Sequence, residues 1–203
     1  MKKLSISASL QNGWEIYKAN WKLILILFIG VYVFLGIVSG VLGSIAGENS
    51  GLRGLFQLVN LALSVIAGVG LLKVTLNFVD KKAVHYSQLY TYYPRAFRYF
   101  IAGLCYGLIV LGGLFLLVIP GIVWAVKYHF ATYFIVDKNT GIREAFKKSG
   151  EITRGHKLDL LLFGFIVLGL NFVGAILFGV GLLISGPVTA LATADIYRKL
   201  SKD

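Results

Sequence analysis

Four ionisable side chains stand inside apolar stretches of this chain: Lys73, Lys127, His129 and Asp195, with Asn60 and Asn171 as neutral companions. In hydrocarbon such groups cost about 2.5–3.5 kcal/mol each on insertion scales, so they mark ion or substrate paths, or pairs that face a protein interior. Lys73 precedes Asp80 by seven residues, about 10 Å at helical rise, and can snorkel to an interface. Asp195 is three residues before Arg198 and nearly interfacial. Lys127 lies six residues after Gly121 and ten before Asp137. An unbroken helix would hold its ammonium near the midplane, where it must find a partner. Asp195 is the one acidic residue within the predicted spans rather than at their ends, so the expected pair is Lys127 with Asp195, on neighbouring spans. With His129 they would form a polar site suited to a small transporter or channel.

Covalent or metal chemistry is not expected. His85, His129 and His156 are scattered, no two histidines stand four apart, and no H-E-x-x-H, G-x-S-x-G or Walker glycine loop is present. Cys105 is a single thiol in an apolar tract, simplest as a small buried residue. The reading is of no enzyme, no metal and no cofactor.

The elements that carry these residues follow from composition. Of 203 residues, 57% are hydrophobic and 14% charged, with a mean hydropathy of +0.78; a water-soluble surface normally needs about 25% charged residues. Apolar tracts run over Leu23–Ala46, Leu55–Val79, Phe97–Val136 and Leu158–Ala194. About 20 residues cross a bilayer, so the last two must fold back. Pro120-Gly121 divides the third and the stretch Phe178–Pro187 the fourth. An all-α polytopic membrane protein is predicted, a single domain over 1–203. Its six spans lie near 23–46, 55–79, 97–119, 121–136, 158–177 and 182–197. The first apolar run starts too late and runs too long for a cleaved signal, so it is expected to be retained.

Seventeen of the twenty Lys and Arg fall before span one, between spans two and three, between four and five, or after span six. By the positive-inside rule both termini are cytoplasmic. The net charge of +11 then meets anionic headgroups, with each basic residue near the surface worth about 1 kcal/mol. The candidate contacts are Lys18, Lys22, Arg95, Arg98, Lys147, Lys148, Arg154 and Lys157. Nucleic acid is not an expected partner, since no binding motif interrupts the loops. A cytosolic protein partner is the other class that these charges suit.

Ser9–Trp21 sets Leu10, Trp14, Tyr17 and Trp21 on one face and Gln11, Glu15 and Lys18 on the other, an interfacial amphipathic pattern. His85–Phe100 and Thr140–Lys157 repeat the theme, and Asn12–Lys18 (NGWEIYK) resembles Lys148–Arg154 (KSGEITR). Three units are predicted, each an amphipathic cytoplasmic helix followed by a helical hairpin. Within Leu117–Lys157, Ile119-Pro120-Gly121-Ile122 is followed by Lys127, Asp137, Glu144-Ala145, Ser149 and Arg154-Gly155-His156-Lys157. This order resembles the membrane domain associated with glycerophosphodiester phosphodiesterases and the YciC-like integral membrane proteins. The resemblance implies a helical protein of the prokaryotic plasma membrane in a largely uncharacterised family. It implies no phosphodiesterase activity, which belongs to a separate soluble barrel. A non-catalytic membrane module that binds anionic lipid or a cytosolic partner is the first expectation; the transporter or channel is the second.

Overall fold

A computed structural model describes residues 4–176 and 179–202, and within them every regular element is helical. Helix α1 (Ile6–Ala46) turns at Gly47 into α2 (Ser50–Val79). The short α3 (Gln88–Thr91) and a 3-10 turn at Tyr93–Arg95 lead to α4 (Ala96–Leu116). Then come α5 (Val118–Tyr128), α6 (Ala131–Lys138), α7 (Ile142–Ile152), α8 (Lys157–Ile176) and α9 (Leu182–Leu200). Five segments are long and apolar enough to cross a membrane: α1, α2, Gln88–Leu116, Val118–Lys138 and α8. The end of the fifth predicted span, at residue 177, and Phe178 in the predicted break both fall outside the described residues, as do Lys2 and Lys3.

α9 is the sixth long helix and differs from the rest. Seven consecutive residues, Leu191–Tyr197, are buried, the pattern of a helix covered on every side. It therefore tolerates Thr189, Thr193 and Asp195, which lipid would penalise.

The chain departs from the predicted units in three places. The N-terminal amphipathic segment and span one form a single helix, kinked at Asn20, whose φ of −129° and ψ of 20° leave the helical region. Asn20 donates instead to the carbonyl of Ile16 at 3.1 Å, one of the recognised causes of a helix bend. The second unit lacks its amphipathic helix. Pro94 stops regular hydrogen bonding, so His85–Arg95 forms short turns, and the Leu89 backbone lies against Gly70, where a Cβ would meet its carbonyl oxygen. The third departure concerns the break ahead of Pro120. It falls at Leu117 (φ −164°, ψ 140°), and Pro120 sits in the first turn of α5. A first-turn N–H has no partner within the helix, so the proline costs nothing there.

Glycine pairs close two hairpins. A Cβ on Gly113 would stand 2.7 Å from Gly121 Cα, and one on Gly174 would stand 3.0 Å from Gly181 backbone. Such small-residue contacts let helices approach in lipid, where no hydrophobic force draws them together. Asn49 caps α2 by accepting from Leu52 N–H, and Arg53 donates to the Gly47 carbonyl at 2.6 Å.

Burial is uneven along the bundle. The core forms two clusters, one with Phe130, Phe134, Phe163 and Tyr197 and one with Leu27, Val74 and Leu191, both toward the end that carries the lysines and arginines. At the opposite end Phe115 is 95% exposed and Ile119 76%, surfaces that only lipid or another apolar body can cover.

Candidate functional site

Three helix ends converge at the basic end of the bundle. The sequence marks them with Asp80 closing α2, Asp137 in the last turn of α6, and Arg198 near the end of α9. The Arg198 guanidinium grips both carboxylates. Its Nη1 donates to Asp137 Oδ2 at 2.5 Å, and its Nη2 to Asp137 Oδ1 at 2.9 Å and to Asp80 Oδ2 at 2.8 Å. Lys73 Nζ reaches Asp137 Oδ1 at 3.2 Å, and the Tyr197 hydroxyl donates to Asp137 Oδ2 at 3.3 Å. Two cations and two carboxylates, all below a fifth exposed, thus form a neutral tetrad. Bidentate charge-assisted bonds of this kind are the strong ones, and they fix geometry.

A second cluster ties α1 to α9. Asn12 Nδ2 donates to Asp195 Oδ1 at 2.7 Å, Lys199 Nζ lies 2.6 Å from Asp195 Oδ2, and the same ammonium donates to Ser9 Oγ at 2.8 Å. The helices can approach because Gly13 faces α9 backbone, where a Cβ would stand 2.8 Å from the Val188 carbonyl oxygen. Asp195 is thereby engaged within α1 and α9, and the predicted pair with Lys127 is not formed.

Lys127 belongs to a third site, built on a break in the fourth span. Between α5 and α6 the helix is interrupted at His129–Phe130, which frees backbone groups that must be satisfied inside a membrane. The Ser149 hydroxyl closes the gap, accepting from Phe130 N–H at 3.2 Å and donating to the Lys127 carbonyl at 2.8 Å. Thr153 Oγ1 lies 3.3 Å from the same carbonyl. Ala145, Ser149 and Thr153, four apart and all buried, seat α7 on this break as Ser9, Gly13 and Tyr17 seat the first turns of α1 on α9. The repeated motif is therefore a docking face of one helix against a span. Lys127 runs across Gly150, its Cε 3.0 Å from where a Cβ would be, and its ammonium lies 4.8 Å from the Tyr128 ring centroid. It reaches the α7 surface, where the unbroken helix expected over 121–136 would have held it at the midplane.

The remaining predicted residues divide by what they touch. Arg95 donates to the Val136 carbonyl and Arg98 to the Asn139 carbonyl at 3.2 Å, so both cap the end of α6, where Asn139 is left-handed (φ 55°). Lys18 and Lys22 lie over the exposed rings of Trp14 and Trp21. Lys148 pairs with Glu144 at 2.6 Å, and that hydrogen bond holds the Glu144 carboxyl below its ordinary range. Lys147, Arg154 and Lys157 line a pocket of about 460 Å³ with Lys127. His129 lines a separate apolar cavity of about 380 Å³, with Tyr106 and Thr193 among its walls. The predicted trio of Lys127, His129 and Asp195 thus occupies three different surroundings. In the sequence the tetrad residues Asp80, Asp137 and Arg198 read as span boundaries; their signal is an acid or an arginine at three span ends predicted to share one face.

A bundle of apolar helices around one buried polar helix is the architecture of a membrane-embedded protein. Residues 104–203 match the family described as a protein of unknown function, DUF975. The uncharacterized protein Mb2590 of Mycobacterium bovis is 33% identical over 142 residues, 69% of this chain and 43% of its own length. Uncharacterized protein Rv2560 of Mycobacterium tuberculosis is 29% identical over 171 residues, 84% of this chain and 42% of its own. The chain spans less than half the length of the curated relatives it matches. No solved structure matches it significantly. The similarity is to an uncharacterised family, and nothing in these matches carries the glycerophosphodiester phosphodiesterase association suggested by Leu117–Lys157.

Proposed function

We propose that the chain is a non-catalytic membrane module that binds anionic phospholipid through its basic end, in the plasma membrane and with both termini in the cytoplasm. The observation that carries the reading is the division of the charges. Those inside the bundle are spent on one another in the Lys73–Asp137–Arg198–Asp80 tetrad and the Asp195–Lys199 pair, which lock helix ends together. The cations left over, among them Lys18, Lys22, Lys147, Arg154 and Lys157, are exposed around that end. A path for solutes would need polar groups with unspent capacity along its length. Here the polar groups where the end of α8 meets the start of α9 bond one another: Ser185 Oγ donates to Asn171 Oδ1 at 2.9 Å, and Asn171 Nδ2 donates to Thr189 Oγ1 at 3.3 Å.

Purified protein in micelles, titrated with phosphatidylglycerol or with phosphatidylcholine, tests the reading. Thermal stability rises with the anionic lipid only, and the gain fades as salt is raised, as screened surface charge requires. Stability indifferent to lipid charge refutes it, as does ion or solute flux in proteoliposomes that Asp137 and Arg198 substitutions abolish.

A further inference from the structure

The unpaired cations are not spread evenly. Lys127, Lys147, Arg154 and Lys157 line one pocket with a single carboxylate, Glu151, and among the described residues none of the four has a carboxylate within ion-pairing distance. The other polar pocket of this end, of about 680 Å³, is differently balanced: beside Lys81, Lys138 and Lys202 it carries three carboxylates, Asp80, Asp137 and Asp195, which already hold Lys82, Arg198 and Lys199. From this contrast we infer that the α5–α7–α8 pocket is a specific site for the phosphate of an anionic phospholipid headgroup. The inference deepens the proposed function and rests on it.

Three features favour a lipid over a soluble phosphate. The pocket stands between the break in the fourth span and the start of the fifth, with Lys127 on α5 and Lys157 at the first residue of α8. Leu158, next to Lys157, is 76% exposed, so apolar surface adjoins the cation as a lipid's glycerol and acyl region would require. Lys127 gets there because Gly150 leaves room for its stem, and the Tyr128 ring beneath its ammonium partly offsets desolvation. Four cations against one carboxylate give the pocket a formal charge of about +3. A headgroup with two phosphates, such as cardiolipin, suits that better than a singly charged one.

The test compares two variants of equal net charge, both altered at exposed positions so that folding is preserved. Lys147→Gln with Arg154→Gln empties the pocket of two cations; Lys18→Gln with Lys22→Gln removes two from the face of α1. Cardiolipin, phosphatidylglycerol and phosphatidylcholine are titrated in micelles, with inorganic phosphate as a soluble arm, and midpoints are read from thermal shift and from lipid retained in native mass spectrometry. Each charge in contact with an anionic headgroup changes affinity about fivefold, so the pocket variant should lose about thirtyfold for cardiolipin. The α1 variant should lose less than a third as much. Equal losses in the two variants, with the wild type still stabilised, overturn the pocket and leave surface binding standing. No stabilisation of the wild type by any anionic lipid overturns both readings. Protection by inorganic phosphate equal to that by cardiolipin overturns the assignment to lipid.

Discussion

Asp137 is the residue on which the most helices depend, and replacing it tests whether the tetrad is a lock. Asp137→Asn keeps the shape and removes the charge. Lys73 and Arg198, 12% and 14% exposed, would then share Asp80 alone, and Asp80 touches Arg198 but not Lys73. Stranding a buried cation costs about 3–5 kcal/mol, or about a hundredfold or more in the unfolding constant at a factor of ten per 1.4 kcal/mol. Asp80→Asn should cost less, about 1–3 kcal/mol, because Arg198 retains both oxygens of Asp137 and loses charge-assisted bonds on one side only. Lys73→Met should be milder still, since Asp137 keeps Arg198 and the Tyr197 hydroxyl. Combined with Asp137→Asn, it removes the stranded ammonium and leaves Arg198 neutralised by Asp80. The double variant should therefore be more stable than the sum of the single losses, by 1 kcal/mol or more on the scale of coupled neighbours, about 0.5–3 kcal/mol. Reversible unfolding in mixed micelles at fixed lipid content measures all four. An Asp137→Asn no worse than Asp80→Asn, or strict additivity with Lys73→Met, would sink the argument that these charges hold α2, α6 and α9 together.

Other substitutions check the remaining joints. Ser149→Ala leaves Phe130 N–H unpaired in a buried break and should cost about 1–3 kcal/mol in the same unfolding assay, while Thr153 still serves the Lys127 carbonyl. Gly113→Ala sets a methyl against Gly121 and should destabilise by about 1–3 kcal/mol, whereas Gly112→Ala, with nothing within 4 Å, should be neutral or better. For orientation, in a Cys105→Ala background, a cysteine introduced at Glu48 should react with an impermeant thiol reagent applied outside intact cells. One at Lys148 should not, and labelling of both from one side would contradict the six-span topology.

Much of this fold can be read from hydropathy because lipid makes hydropathy a strict requirement. The long apolar tracts become helices, although the third folds back at Leu117 rather than at Pro120, and Pro187 lies inside α9 rather than in the fourth tract's break. What misleads is local. Pro120 reads as a helix breaker, yet a proline fits the first turn of the helix that follows, and the break falls three residues earlier at Leu117. Lys127 reads as a midplane charge only if residues 121–136 form one unbroken helix. The interruption at His129–Phe130 changes its surroundings, and the clue lay elsewhere in the chain, in the small residues Ala145, Ser149 and Thr153 at every fourth position. Asp195 was legible as a charge within a span, but its partners depend on tertiary contact: Asn12 stands 183 residues away, and no spacing rule reaches that far. The tetrad had a weak sequence signal, acids or an arginine at three span ends, because ionisable residues at span ends are ordinary interface markers.

The uneven packing bears on the proposed role. Toward the end opposite the cations the helices are held by glycine contacts and the short caps around Gly47, with broad apolar faces left exposed. Toward the basic end, ion pairs, a hydroxyl-patched helix break and the docked faces of α1 and α7 fix side chains in place. A protein that moved a solute by alternating access would need two packings close in energy on either side of a central site. Here the ion pairs that would have to be exchanged lie together at one end, and separating α9 from α2 and α6 would break four hydrogen bonds to Asp137 and Asp80 at once. A structure locked at headgroup depth and loose within the hydrocarbon suits a platform that presents a fixed pattern of cations to phosphate. The Lys127 pocket, with three cations on or beside α7 and a fourth supplied from within a span, is the part of that pattern inferred above to hold a lipid headgroup.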